Sequence, residues 1–441
     1  MKERLFKEID NAPLVLFRIF LGFLLACETF GAIATGWVKS NFITPKFTFS
    51  HIGMEWLQPL PGSGMYFYFA IMGLLGLLVM VGYKYRYSIA LYTVLWAGVY
   101  FMQKTSYNNH YYLLVLVCLM MCFLPAHRYA SVDVRLNPAL KKLTMPAWCS
   151  WVMIVMVSIV YFYATLAKFY PDWLNGTFAR QLLGRSVAHE GLRQVMTQKW
   201  FYLFIAYSGI VFDLFVVPLL LFKRTRTIAF VASLIFHIFN SITLQIGIFP
   251  FFALSFAVFF FPPERIRNIF FRKKPAVLKY GNTKEGVNVL KYFFVPFLVI
   301  QLLLPLRHYF IKGDVLWTEE GHRLSWRMML RTRSGTTRFK VVDKSTNKEL
   351  FYDAFNDLTP KQEAAMNTRP DMIWQMAQHI KKEFKAREQD VAVYAHTNVA
   401  INNNPYKLLI DPETDLAAVP WNYYGHCPWI LLYDSKDNPI K

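Results

Sequence analysis

Residues 147 to 168 read AWCSWVMIVMVSIVYFYATLAK, twenty-one positions without a charge and then a lysine, Lys168. As a helix, at 1.5 Å per residue, this stretch is about 33 Å long, enough to cross a hydrocarbon core of ~30 Å. Applied outward from there, the same measure gives nine candidate spans, at roughly 13–34, 65–82, 87–102, 111–125, 147–168, 201–222, 227–245, 247–261 and 290–306. Tilt, local thinning or burial against neighbours accommodates the shorter ones. Composition agrees: 55% of the 441 residues are hydrophobic and only 17% are charged, where soluble domains carry ~25%. The expected fold is a polytopic α-helical membrane protein with a transmembrane domain over 1–306. One soluble α+β domain follows, over 307–441.

Net charge is +20, and in a membrane protein such an excess is first a matter of topology rather than of a nucleic-acid partner. With the N-terminus placed in the cytoplasm, the inner segments hold nineteen lysines and arginines and the outer loops seven. The bias obeys the positive-inside rule. Nine crossings then put the chain after Arg307 outside the cytoplasm, and membrane lipid is its solvent and partner. Lys2, Arg4 and Lys7 precede an apolar stretch without a small-residue cleavage pattern, which reads as a retained signal anchor. Cys27, Cys118, Cys122 and Cys149 lie in or beside apolar runs, leaving Cys427 as the one cysteine expected to be exposed, too few for a disulfide framework.

The tail has its own punctuation. Thr336–Val342 and Glu349–Tyr352 flank an Asp343–Asn347 turn and read as a hairpin. Thr359-Pro360-Lys361-Gln362 is a helix start with an N-cap, a Pro at the first position and a Gln three residues on. Ile373, Met376, Ala377, Ile380 and Phe384 then mark one apolar helical face, and Val391–Val399 and Tyr406–Ile410 read as strands.

Ionisable groups within spans are functional-site hypotheses by default. By topology Lys168, His110 with Asn108 and Asn109, and His237 with Asn240 one turn on all fall in the outer leaflet. Asp213, mid-span, is a possible partner for one of them. The ordinary alternatives are a lysine snorkelling to headgroups and polar groups that only join helices; Arg18 and Glu28 are read as structural. The functional alternative is a lysine whose amine is kept neutral by apolar walls and acts as a general base on a lipid-soluble acid. Beyond the last span, Arg323, Arg327, Arg331 and Arg333 share parity. A strand there would present all four, with Ser325 and Met329 between them, on a face suited to carboxylates, and Trp326 and Met328 on the other. A solvated face is the alternative. No P-loop, dinucleotide fingerprint, nucleophile elbow or metal-binding motif occurs.

Lys104 to Tyr112 (KTSYNNHYY), Ser131-Val132-Asp133, Lys168 with Asp172-Trp173, Phe236-His237 with Asn240-Ser241, Ile246 to Phe249, and Ser325 to Met329 together resemble the vitamin K-dependent γ-carboxylase family. Its membrane part is the HTTM domain. The resemblance extends along essentially the whole chain, to Ile410-Asp411-Pro412.

It implies a membrane enzyme, a peptidyl-glutamate carboxylase with epoxidase activity. A lysine deprotonates reduced vitamin K (phylloquinol or menaquinol), the anion reacts with O2, and the resulting strong base removes a γ-proton from a glutamyl residue. The carbanion captures CO2, the quinone leaves as its epoxide, and no metal is required. By position Lys168 is the base. His110 and Asn109 match groups that assist the oxygenated quinone and CO2, His237 matches a pocket histidine, and Asn108, Asn240 and Asp213 are placed as quinol contacts. Ser325, Trp326, Arg327, Met328 and Met329 match the segment holding the Glu-containing peptide or protein, with Arg323 and Arg331 beside them. Animal members have an acidic residue and a histidine where this chain has Arg327 and Arg331, and they continue into a further lumenal region. The resemblance also implies a bacterial-type homologue in the inner (cell) membrane with an extracytoplasmic C-terminal domain. Quinol epoxidation without carboxylation, or non-catalytic quinone or lipid binding, are the competing readings.

Overall fold

The computed structural model describes residues 2–186, 190–244, 246–277, 279–328, 330–402, 404–434 and 439–440. Each of the nine apolar runs forms a helix: α1 (Ala12–Ala34), α2 (Gly64–Val81), α3 (Tyr85–Met102), α4 (Asn109–Phe123), α5 (Trp148–Leu166), α6 (Lys199–Leu221), α7 (Arg226–Leu244), α8 (Phe249–Ser255) and α9 (Val295–Leu303). Among the described residues six segments are individually long and apolar enough to cross a membrane, α1, α2, α5, α6, α7 and the continuous run Val287–Phe310 that contains α9, and a bent pair of helices makes seven if it is one span. The count therefore differs from the nine expected. Helix α4 has only 15 residues, and α3 opens on the polar Tyr85-Arg86-Tyr87-Ser88. Helix α8, prolonged to Phe259, turns by 117° into Pro263–Phe270. Pro262 and Pro263 stand at that bend, where neither can donate a helical hydrogen bond and the residue before each is driven out of the helical region.

The chain divides into two compact units: residues 1–38, 63–99 and 108–304 form one, and residues 39–62, 100–107 and 305–441 the other. The second unit thus recruits two segments from between the early helices.

In the membrane unit, α1 and α2 meet backbone to backbone. A Cβ on Gly22 would lie 2.3 Å from the Met80 nitrogen, and one on Gly76 would lie 2.7 Å from that of Ala26. Small residues permit this approach, which replaces the hydrophobic driving force that lipid removes. Gly22→Val is therefore expected to force the helices apart and lower the thermal unfolding midpoint of the purified protein, overpacking of this kind costing about 1–3 kcal/mol. An unchanged midpoint would show that the contact carries no strain. Arg18, fully buried on α1, donates to the carbonyls of Ala126 (3.1 Å) and Ala130 (2.6 Å) beyond α4. Its role is the structural one expected.

The second unit is a four-stranded antiparallel sheet of β1 (Arg333–Asp343), β2 (Glu349–Tyr352), β3 (Val391–Ile401) and β4 (Lys407–Leu408), in the order β2-β1-β3-β4. Helices α10 (Pro360–Met366) and α11 (Pro370–Lys385) accompany it. The hairpin is the one expected: the Asp343 carboxylate accepts from the backbone of Ser345 and Thr346, fixing the turn. Thr359 and Gln362 form the anticipated capping box. Ile373, Met376, Ala377, Ile380 and Phe384 are all buried in a core with Phe339, Val341, Val391 and Val393. One difference is the break at Asn367–Arg369, which makes two helices of one because Pro370 starts a new first turn. A second is Cys427. It is buried in this core rather than exposed, in hydrogen-bond reach of the Asn422 backbone, and burial pushes its thiol up to about 12.

Candidate active site

Lys168 lies two residues past the end of α5. Its Nζ reaches back one turn to the Ala164 carbonyl (3.1 Å) and pairs across to Asp213 on α6, both side chains being buried. The Trp173 ring covers the ammonium position at 5.3 Å and donates its indole N–H to the Ala206 carbonyl. Gly209, one turn before Asp213, keeps this contact open: a Cβ there would stand 3.5 Å from Trp173 and 3.9 Å from the Lys168 stem. The lysine is thus held in an interior ion pair, not extended toward headgroups.

Tyr161 precedes Lys168 by seven residues and so shares its helix face. Its hydroxyl lies 3.1 Å from Nε2 of His237 on α7, while Nδ1 of His237 is buried without a hydrogen-bond partner among the described residues. Phe212, next to Asp213, sets its ring against Tyr161 (6.0 Å), Phe236 (3.9 Å) and His237 (5.9 Å). Phe249 stacks on His110 at 3.6 Å and meets His237 edge-on at 6.2 Å. Lys168, Asp213, His237 and His110 are therefore members of one aromatic-walled cluster. An apolar groove of about 520 Å³ between α6 and α7, lined by Tyr207, Phe212, Phe215, Ala229 and Ala232, shares its Phe212 wall with that cluster. Asn109 is buried at the start of α4 and Asn240 half-buried one turn beyond His237. Asn108 does something else: its side chain caps α4 by accepting from the Tyr111 N–H at 2.7 Å. Glu28 accepts from the Tyr111 hydroxyl at 2.8 Å.

In the second unit, the arginine face expected of a strand does not form. Residues 321–326 are turns, with Leu324 and Trp326 at positive φ (61° and 56°). Parity has no meaning across such a reversal. Arg323 and Lys104 instead converge on one carboxylate, Asp371, at 2.6 and 2.5 Å. Arg331 and Arg333 converge on Glu319. Burial opposes ionisation of Asp371, but Arg323 and Lys104 hold its carboxyl well below the usual range. Burial brings Lys104 itself down to about 8, with Asp371 resisting. His51 is brought to about 3, by burial and then by Arg323 and Lys104. Ser325 donates to the Gly321 carbonyl, Trp326 is fully buried, and Arg327 is buried with a guanidinium nitrogen 3.4 Å from His308. Met328 is half-buried, and Met329 lies outside the described residues.

Two family descriptions match this chain. The HTTM domain covers residues 6–264, and the lumenal domain of vitamin K-dependent gamma-carboxylase covers residues 287–436. The chain belongs to the vitamin K-dependent γ-carboxylase family. No solved structure matches it. The sequence reading did not single out Tyr161, legible in principle from its seven-residue spacing to Lys168, or Asp371, which the tertiary fold brings to Lys104 and Arg323; Phe249 entered it only within the Ile246 to Phe249 segment, without a contact of its own.

Proposed function

We propose that this protein is a vitamin K hydroquinone-dependent γ-glutamyl carboxylase, carrying its reaction in the Lys168–Asp213–His237–His110 cluster. The supporting observation is the interior Lys168–Asp213 pair, roughly one and a half to two turns from a tyrosine whose histidine partner keeps one nitrogen without a hydrogen-bond partner among the described residues. A flat aromatic diol fits this donor set. Phe212, Phe249 and Trp173 offer ring faces, His237 Nδ1 can hold one oxygen, and Lys168 can face a hydroxyl. Reduced vitamin K, oxidised by O2, supplies when bound the strong base that removes a glutamyl γ-proton so that CO2 can add there.

The residues' own part is proton handling. Lys168 and Asp213 together carry no net charge whichever of them holds the shared proton; with that proton on the Asp213 carboxyl the Lys168 amine is neutral, and a proton taken by Nζ from a hydroxyl leaves the pair positive beside an oxyanion. In apolar surroundings that attraction is far stronger than in water. Tyr161 fixes the ring of His237 through Nε2, which leaves Nδ1 as the atom directed to a ligand. His110, held flat by Phe249, and Asn109 complete the polar lining. In this reading the N-terminus is cytoplasmic, the membrane is the inner (cell) membrane, and the second unit is extracytoplasmic.

A second reading is quinol epoxidation without carboxylation. It is favoured by the engagement of Arg323, Arg331 and Arg333 with the protein's own carboxylates. Purified protein given reduced vitamin K, O2, labelled CO2 and a Glu-containing peptide is expected to incorporate label and form epoxide together. Epoxide alone would establish the second reading, and neither product with phylloquinol or menaquinol would remove both.

A further inference from the structure

His379 and Glu383 stand four positions apart on α11, so their side chains leave the helix on one face. A third group reaches them from another segment: Asp357 closes the short 3₁₀ turn Ala354–Asp357 ahead of α10. One ring nitrogen of His379 and one oxygen of each acid lie within 4.8 Å of one another, and all three residues are partly buried. Phe47, packed on the core of the second unit, holds the His379 ring at 4.3 Å between centroids. Neither ring nitrogen has a hydrogen-bond partner among the described residues. The carboxylates are supported from outside. Tyr352 donates its hydroxyl to Oε2 of Glu383, and Arg387 donates to Oε1 at 3.0 Å. Lys46 reaches Oδ1 of Asp357 at 3.3 Å and leaves Oδ2 without a partner among the described residues. A carboxylate oxygen has two lone pairs, so each Glu383 oxygen keeps one. Lys46 and Arg387 are 72% and 60% exposed, and surface ion pairs of that kind are weak against a divalent ion. Asp357 and Glu383 also line a cavity of about 690 Å³, which has room for water at an open coordination position.

We infer that Asp357, His379 and Glu383 bind a zinc ion in the second unit, with a fourth position left to water. An imidazole with two carboxylates is a zinc donor set, whereas calcium and magnesium take oxygen ligands. In a tetrahedral site the ligand atoms, ~2.1 Å from the ion, stand about 3.4 Å apart. Rotation of two partly exposed carboxylates closes the present spacing to that value. Tyr352 is then the outer donor that orients a ligating carboxylate. The ion ties α11 to the turn before α10 and, through Phe47 on His379, to residues 39–62 of the same unit. Nothing in this depends on the carboxylation reading.

The test uses full-length, tag-free protein in detergent, stripped with EDTA and exchanged into chelator-free buffer. Zn2+ is expected to raise the thermal unfolding midpoint by several degrees, because an ion that binds only the folded state stabilises it. Equal Mg2+ or Ca2+ leaves the midpoint in place. His379→Gln and Glu383→Gln each weaken Zn2+ binding at least tenfold in titration calorimetry. Wild-type protein supplies the answer if a variant fails to fold: diethyl pyrocarbonate modification of His379, mapped by mass spectrometry, is slowed at least tenfold by Zn2+ and not by Mg2+. The site is overturned by a midpoint that Zn2+ does not raise or that Ca2+ raises equally, by Zn2+ affinity unchanged in both variants, or by the same modification of His379 with and without Zn2+. Protection of His379 in a preparation that fixes no CO2 keeps the site and removes only the carboxylation reading.

Discussion

Lys168→Ala is expected to reduce quinol epoxidation by about 10²–10⁴-fold, the range over which a positioned acid–base group contributes. The loss should fall on kcat with little change in KM for quinol, because the amine acts on the proton and the aromatic walls do the binding. Shortening the side chain also leaves a gap beside Asp213 and Trp173 that a small primary amine can enter, so methylamine or ethylamine should restore part of the rate. Asp213→Asn should lose activity too, and amines should not rescue it, since the missing element there is the carboxylate that carries the counter-charge. Epoxidation at the wild-type rate in Lys168→Ala would remove the lysine from the mechanism. Rescue of both variants alike by amines would make the pair a structural tie between α5 and α6.

That lysine also shows where sequence reading reached and where it stopped. Its place at the end of an apolar run, and the two histidines in other runs, are local facts that composition and helix rise make visible. Its partner is 45 positions away, and nothing but topology made Asp213 a candidate. The same contrast holds in the second unit. The capping box at Thr359, the Asp343 turn and the apolar face of α11 follow from spacing within a few residues, and all three are present. The arginine face required a regular strand from Arg323 to Arg333, but Leu324 and Trp326 take left-handed backbone conformations that no local propensity announces. The carboxylate that draws Arg323 inward is 48 residues on. The apolar run 247–261 was legible as helix, and the two prolines after it encode the 117° bend that apolar length alone does not show.

The network around Asp371 yields the largest expected effect on stability. Asp371 is buried and is the shared anion of Lys104 and Arg323, so Asp371→Asn leaves two cations facing each other without it. Removing one member of such a group is expected to destabilise the fold by about 3–5 kcal/mol at neutral pH. It should show as a lower thermal midpoint in tryptophan fluorescence of the purified protein. The pH dependence follows from the direction of the shift. The folded carboxyl titrates below its unfolded value of ~3.9, so its stabilisation is complete above that value and is lost as pH falls below it toward the folded pKa. The difference between wild type and Asp371→Asn should therefore be constant from pH 5 to 7 and shrink below about pH 4. Adding Lys104→Met to Asp371→Asn should recover part of the loss, because it removes one of the stranded charges, and the double-mutant cycle would report that coupling. Equal midpoints for wild type and Asp371→Asn at pH 7 would mean that solvent, rather than Asp371, compensates Lys104 and Arg323.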